Sequence, residues 1–458
     1  MRYLRIIIDV MLTLTALPCL FIRIIIAAVI GRREGLPQIK LLVLDMAYTL
    51  EMIKKRQLQE SITCRDLNGY FKHVWSVHPC ATLIPPENVE DTYGEITETR
   101  LTEKHTIAEG KIGRYRALRN LPLLNFFLAQ WNVYSYLNRL VKREKICVVR
   151  AGEPYYLSLW ALAIARTYKI PCAIRVCINY DAFYKSTGHL AFPRLFRRRW
   201  VEKIIERFTL KRMDLVAGAN QDNLKFAIAN GARKEVSTVF RYGNLIHSAH
   251  FKDISERPSA LPLLQELGLQ QKKFSITISR LEELKHVDDV LRVIANVNAN
   301  GFPLTGLLVG DGRIKEYLLE MAADLRISDK IIFAGNRDQE WLATILPHAV
   351  VVIAPFMGRA LTEAALSGVP IVAYDIDWQS EIIQTGITGE LIPYRDWKSM
   401  AATVIKYLED PQYAIHMGAN VRRVALEMMD PVKLNQHERN EYDKLFARYF
   451  FEMNYNNP

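Results

Sequence analysis

Short apolar runs alternate with longer amphipathic stretches along much of this chain, most regularly in its second half. Phe274–Leu281 is a β-rich run, and a helical period follows over Val287–Asn298 and stops at Gly301. Thr305–Val309 predicts a strand closed by Gly310-Asp311-Gly312, and Ile314–Leu325 predicts the next helix. Ile331–Ala334, Val350–Pro355 and Ile371–Asp375 predict three further strands, each leading toward a helical segment. Short strands that are apolar throughout, separated by helices, imply a parallel sheet covered on both faces.

The first half repeats the pattern less regularly. Leu41–Asp45 predicts a strand and Tyr48–Gln57 a helix, while residues 80–123 carry no readable period. Ile146–Ala151 and Cys172–Asn179 predict strands flanking a helix over Pro154–Tyr168. Asp214–Asn220 and Val236–Tyr242 predict two more, around a helix over Asp222–Asn230. A chain of 458 residues is too long for one ordinary core. The expectation is therefore an α/β protein of two doubly wound, Rossmann-like parallel-sheet domains facing each other across a cleft. In sheets of this kind ligands bind beyond the carboxyl ends of the strands.

Ahead of both halves, Ile6–Ile30 is almost wholly apolar, broken by Asp9, Pro18 and Arg23. That length suffices for a membrane helix. Buried charge makes a straight crossing costly, and a helix kinked at Pro18 that leaves by its entry face is the second option. The Asp9, apolar run and Pro18 arrangement loosely resembles the re-entrant helix of monotopic phosphoglycosyltransferases. A cleaved signal peptide is the third option.

Charge sharpens the division. Residues 1–250 hold 38 Lys and Arg against 21 Asp and Glu, whereas residues 251–458 hold 22 against 28. A basic half suggests an anionic partner, membrane or nucleic acid. No nucleic-acid recognition motif accompanies the charge, so the expectation is no nucleic acid. The six cysteines form no CxxC pair, which argues for reduced thiols and against a zinc site.

The unusual residues of the second half fall just after its predicted strands. Arg280 and Lys285 follow the first, in Ser-Arg-Leu-Glu-Glu-Leu-Lys-His. Two fixed cations there suit the negative charge developing on a departing nucleoside diphosphate. Surface cations near a helix start would look the same. Gly310 and Gly312 allow close backbone approach or simply a tight turn. Gly335 and Asn336 are placed to hold a base edge or to make an ordinary turn. In Pro355-Phe-Met-Gly358-Arg359-Ala-Leu-Thr-Glu363, Gly358 would open a helix whose free N–H groups face an anion. Arg359 in the first turn is disfavoured by the helix dipole unless phosphate is bound. Glu363, one turn on, can accept a ribose diol. Gly368 then ends the helix before Pro370.

In order and spacing, Phe274 to Asp410 resembles the donor-binding domain of family 4 glycosyltransferases (glycosyl transferases group 1), which have the GT-B fold. The resemblance implies that Arg280 and Lys285 bind the diphosphate and that Glu363 binds the ribose. It also matches Glu381, Thr388-Gly389 and Leu391-Ile-Pro393 to the family's later positions. It implies anomer-retaining transfer from a UDP- or GDP-sugar, with no metal and no organic cofactor. The family usually carries a second Glu eight residues before the position of Glu363, and here that residue is Pro355. The loop is shorter, and Arg359 stands where Gly-rich backbone is usual. Asp375-Ile-Asp377 has the form of a metal-binding DxD, yet no further ligand cluster supports it.

In the first half, Glu153 and Asp181 follow strands, and either could orient or deprotonate an acceptor hydroxyl or simply cap a helix. Arg194, Arg197, Arg198, Arg199 and Lys203, interleaved with Phe192, Phe196 and Trp200, suit an anionic membrane, a lipid diphosphate or an ordinary charged helix face. The expected organisation is a membrane-associated segment over 1–35 and an acceptor-side domain over 36–245. A nucleotide-sugar domain over 246–430 and a helical segment over 431–458 complete it. The expected activity is sugar transfer to a lipid-linked or envelope-glycan acceptor, with the catalytic domains in the cytoplasm. An epimerase or hydrolase of the same fold and a non-catalytic nucleotide-sugar-binding subunit are the alternatives.

Overall fold

A computed structural model describes residues 39–55, 58–83, 92–192 and 196–455. The amino-terminal apolar stretch lies outside the described residues. Among the described residues no helix is long and apolar enough to cross a membrane. The chain forms two compact units, one running to Arg241 and resuming at Lys433, the other spanning Tyr242–Val432.

The first unit is built on an eight-stranded sheet ordered β3-β4-β2-β1-β5-β6-β7-β8. Its strands are β1 Lys40–Leu44, β2 His73–His78, β3 Thr97–Thr102, β4 His105–Glu109, β5 Val148–Ala151, β6 Cys172–Val176, β7 Leu215–Gly218 and β8 Ser237–Val239. Only β3 runs antiparallel to its neighbour. Along β1 successive side chains leave opposite faces, as the two-residue period requires. Leu42 and Leu44 join the core under helices Pro122–Glu144, Tyr156–Tyr168 and Arg199–Leu210. Leu41 and Val43 join a second core closed by Tyr442, Leu445 and Phe446 of the last helix, Pro431–Tyr455. Truncating such a core residue typically costs about 2–5 kcal/mol.

The second unit has six parallel strands: β9 Phe274–Ile278, β10 Thr305–Val309, β11 Ile331–Gly335, β12 Val351–Ala354, β13 Ile371–Tyr374 and β14 Glu390–Ile392. They are ordered β11-β10-β9-β12-β13-β14. This is the doubly wound dinucleotide-binding order, which reverses direction between β9 and β12. Both faces of each inner strand are buried. Val352 and Ala354 pack on one side, Val351 and Ile353 on the other. The expected α/β architecture thus holds in each unit.

Several expected elements differ in extent or were unread. The predicted strand Cys172–Asn179 stops at Val176, and Asn179 instead caps the helix Tyr180–Thr187 by accepting from Ala182 N–H. The expected helix Tyr48–Gln57 is the shorter Leu50–Lys55 among the described residues. The patternless stretch 80–123 holds β3 and β4.

Candidate functional site

Three strand ends of the second unit are stitched together by backbone. Ser279 N–H donates to Val309 carbonyl at 2.9 Å, Leu281 N–H to Asp311 carbonyl at 3.1 Å and Gly310 N–H to Gly335 carbonyl at 2.8 Å. Gly310 has φ +133°, and a Cβ there would stand 1.9 Å from the Ser279 carbonyl oxygen. A Cβ on Gly312 would meet the Leu281 carbonyl oxygen at 2.2 Å. Both glycines are therefore needed for the loop carrying Arg280 to lie against the loop after β10. Gly335, at φ +67°, turns the chain toward exposed Asn336 with open space around it.

Arg280 is exposed, and Lys285 ends the short turn Glu283–Lys285. The Lys285 ammonium lies 4.0 Å from the centre of the Phe356 ring, which brings the loops after β9 and β12 together. Burial, with the nearby Arg280 charge, pushes the Lys285 amine down to about 8, against the opposing pull of Asp377. Two cations held close in a partly desolvated place form a site prepared for an anion.

A polar cluster that sequence reading missed holds the residue after Lys285. His286 is left-handed, with φ +53°. Arg395 donates to its Nδ1 at 2.8 Å, and its Nε2 lies 2.8 Å from the Tyr394 hydroxyl. Arg395 also pairs with Asp288 at 3.1 Å and with Asp289 at 2.9 Å. Buried Asp289 accepts from the Tyr374 hydroxyl at 2.8 Å. The Asp288, Asp289 and Arg292 spacing carries the one sequence signal, since i,i+3 and i,i+4 residues meet on a helix.

After β12 the helix is Ala360–Leu366, with Arg359 as its cap, so it starts two residues later than Gly358. Leu361 and Thr362 N–H groups already donate to the Gly358 and Arg359 carbonyls, which leaves fewer free donors than expected. Glu363 is 3% exposed, with its carboxylate 3.5 Å from Arg359 Nε. Burial raises its pKa, while Arg359 and a hydrogen bond from Gln339 oppose that rise. Gln339 Oε1 in turn lies 3.0 Å from Nε2 of fully buried His250. Burial pushes that imidazole down to about 3, so it is neutral and its Nε2–H donates to Gln339. A relay His250–Gln339–Glu363 thus fixes the carboxylate.

Buried Gln379 is a further residue without a sequence signal. Its amide accepts from Met357 N–H at 2.9 Å and donates to the Tyr374 carbonyl at 2.8 Å, tying the ends of β12 and β13. Glu381, half-buried, ends the same turn. Asp375 and Asp377 are exposed, and Asp377 has φ +56°. Among the described residues no group of three His, Cys, Asp or Glu could cage a metal ion.

In the first unit the two candidate carboxylates have different settings. Glu153 is buried and accepts from the Tyr155 and Leu157 N–H groups, capping the helix Tyr156–Tyr168. Burial pushes its carboxyl up to about 8, against those bonds. Asp181 is exposed and receives Lys203 at 2.8 Å, Arg199 at 2.7 Å and Asn230 at 2.8 Å. Partial burial alone would raise its pKa, but those bonds outweigh it and hold the carboxyl below its ordinary value. Arg199 and Lys203 thus face inward. Arg194 lies outside the described residues, and Arg197, Arg198 and Trp200 face solvent.

Comparison with known proteins bears on the family and the fold. Residues 263–424 match the family model "Glycosyl transferases group 1". N-acetyl-alpha-D-glucosaminyl L-malate synthase of Bacillus anthracis is 28% identical over 217 residues, 46% of this chain and 55% of that protein. Alpha-monoglucosyldiacylglycerol synthase of Streptococcus pneumoniae is 23% identical over 316 residues, 66% of this chain and 70% of its own length. The chain spans about half the length of the first of these relatives. Among solved structures, Anabaena HepE in complex with UDP aligns with TM-score 0.64 at 18% identity, covering 89% of this chain and all of that one. Sucrose-phosphate synthase from Thermosynechococcus elongatus aligns with TM-score 0.68 at 14% identity, covering 90% and 100%. The chain thus has the α/β GT-B fold, and within its second unit it is similar to the glycosyl transferases of group 1.

Proposed function

We propose that the protein is a glycosyltransferase that moves a sugar from a UDP- or GDP-sugar to a lipid-linked or envelope-glycan acceptor at the cytoplasmic face of a membrane, with retention of anomeric configuration. The observation that carries this reading is the pair Arg280 and Lys285, set at a doubly wound strand end by the Gly310 and Gly312 contacts. As the bond to the sugar breaks, charge accumulates on the leaving diphosphate, and pre-positioned cations stabilise it without reorganising. Glu363, braced by Gln339, receives the ribose hydroxyls. Arg359 with Gly358 takes up phosphate, and Glu381 lies beside the sugar. Gly335 and Asn336 hold the base. Transfer in this form needs no metal and no organic cofactor.

On the acceptor side Glu153 is buried, whereas Asp181, although it accepts from Lys203, Arg199 and Asn230, is exposed, so Asp181 is assigned the acceptor hydroxyl. A UDP complex among the similar structures and a relative named alpha-monoglucosyldiacylglycerol synthase support the donor class and a lipid acceptor. Pro355, in place of a second Glu, favours one alternative, a subunit that binds nucleotide sugar without transferring it.

The test is a panel of UDP- and GDP-sugars given to the full-length protein, with and without a polyprenyl-diphosphate glycan. Nucleotide release that depends on the acceptor, with a product of unchanged anomeric configuration, is expected. Release at the same rate without acceptor would make the protein a hydrolase, and conversion of the donor to its epimer with the nucleotide still attached would make it an epimerase. Binding of a donor without release would make it the silent subunit.

A further inference from the structure

The helix Arg199–Leu210 sorts its charges by face. Glu202 and Glu206 are fully buried. Arg199 meets them at 3.1 and 3.2 Å, Lys203 meets Glu206 at 2.8 Å, and the Tyr155 hydroxyl donates to Glu206 at 2.6 Å. Every acid of this helix is thus turned inward, and two of its cations go with them. The outer face keeps Trp200, 65% exposed, and Ile204, 59% exposed. Arg207 and Lys211 continue the same stripe at the i+7 and i+11 positions, and both are exposed. Arg197 and Arg198 stand exposed at its amino-terminal end, and exposed Arg212 stacks its guanidinium 3.8 Å over Phe208 at the other. An aromatic and an aliphatic side chain therefore project between cations at both ends, with no exposed carboxylate on the helix.

We propose that this stripe docks on an anionic lipid bilayer, with Trp200 and Ile204 entering the headgroup region and Arg197, Arg198, Arg207 and Lys211 meeting lipid phosphates. Trp suits that depth because its ring is apolar and its N–H stays hydrated. Cations alone would serve a nucleic acid equally well. The large exposed apolar pair at the centre of the stripe is what a bilayer accommodates and a phosphate backbone does not. The inference rests on the glycosyltransferase reading only for its purpose, which is to bring the first unit to an acceptor embedded in a membrane. Docking itself requires neither donor nor acceptor.

The experiment measures tryptophan emission of the full-length protein on vesicles with bromine-labelled chains, either phosphatidylglycerol or phosphatidylcholine. The extra quenching of wild type over Trp200→Phe isolates Trp200 whatever other segment touches the lipid. Because Trp200 is exposed, the substitution should leave the fold intact, and UDP binding to the second unit serves as the check. The extra quenching is expected on phosphatidylglycerol and not on phosphatidylcholine. Arg197→Gln, Arg207→Gln and Lys211→Gln together should raise the lipid needed for it by about 100-fold, at roughly five-fold per cation. Equal quenching in wild type and Trp200→Phe overturns the proposal, as does equal quenching on the two lipids. Protection of Trp200 by a 30-nucleotide single strand, with none by vesicles, overturns it in favour of nucleic acid. Quenching without any sugar transfer would keep the surface and lose the enzymatic reading, and transfer without quenching would do the reverse.

Discussion

Lys285 Nζ stands 4.0 Å from the centre of the Phe356 ring, so the cation expected to meet the diphosphate rests on an aromatic face. The contact is attractive but replaces only part of the lost hydration, and burial pushes the amine down to about 8. Lys285 is thus charged at neutral pH and loses its proton just above it. In the free enzyme kcat/KM should fall above about pH 8, and Lys285→Arg should move that limb beyond pH 10. Stability should respond with the opposite sign. The folded value lies below the unfolded one of about 10.4, so unfolding free energy should rise as pH increases between the two. A pH–rate profile with a parallel urea series would show both, and an unchanged alkaline limb in Lys285→Arg would assign it to another group.

Arg280→Ala and Lys285→Ala should each lower turnover by about 100- to 1,000-fold, the usual loss for one donor to developing charge. Arg359→Ala should resemble them if Arg359 takes up phosphate. Should Arg359→Ala leave steady-state kinetics unchanged, its position at the helix start is incidental. Near-normal turnover in both Arg280→Ala and Lys285→Ala would remove the basis for the transferase proposal.

Glu363→Ala should chiefly raise the donor KM, because a ribose contact exists in ground and transition states alike. Gln339→Leu breaks the bond that braces Glu363 and should raise the same KM by a smaller factor with turnover kept. A deoxyribose donor should show little difference between wild type and Gln339→Leu. If the variant loses turnover on both donors equally, Gln339 only supports the fold.

Gly310→Ala places a methyl group against the Ser279 carbonyl oxygen, which other backbone bonds hold in place. Strain of this kind, with a non-glycine residue at positive φ, costs on the order of 2–4 kcal/mol. The expected result is a lower denaturation midpoint together with weaker donor binding, since the displaced loop carries Arg280. Gly358→Ala is the control for the denaturation midpoint alone, because a Cβ there meets nothing within 4 Å. Calorimetry on the two variants separates the outcomes.

Activity should survive exhaustive chelation, since two side-chain cations are assigned the work that magnesium does elsewhere. Loss with chelator and recovery on adding magnesium or manganese would give Asp375 and Asp377 a role at the metal.

The second unit was legible because its strands are apolar on both faces. Val351–Ala354 and Ile371–Tyr374 have no other good use in a globular chain, and the glycines and charges that follow them mark strand ends. β2 was not legible, since His73 and Ser76 interrupt its apolar run, and exposed β3 reads as polar sequence. The positions of Arg280, Lys285 and Glu363 could be read, but their supports could not. His250 and Gln339 meet across 89 residues, and Gln379 bonds only to backbone, so neither leaves a pattern in the sequence. The basic stretch was legible only as composition. Whether Arg199 or Arg197 faces inward depends on where its helix begins, and composition does not encode that phase.

The last helix has a consequence for how the molecule is made. Glu438 lies 3.8 Å from Arg150 and 3.5 Å from Arg175, all three largely buried, on a sheet face otherwise formed before residue 242. Without Glu438 those two cations would lose their buried carboxylate, a loss typically of about 3–5 kcal/mol. On a ribosome, then, the unit whose strands emerge first must wait with an open, charged face while some 190 residues of the other are synthesised. The first unit begun is the last one finished.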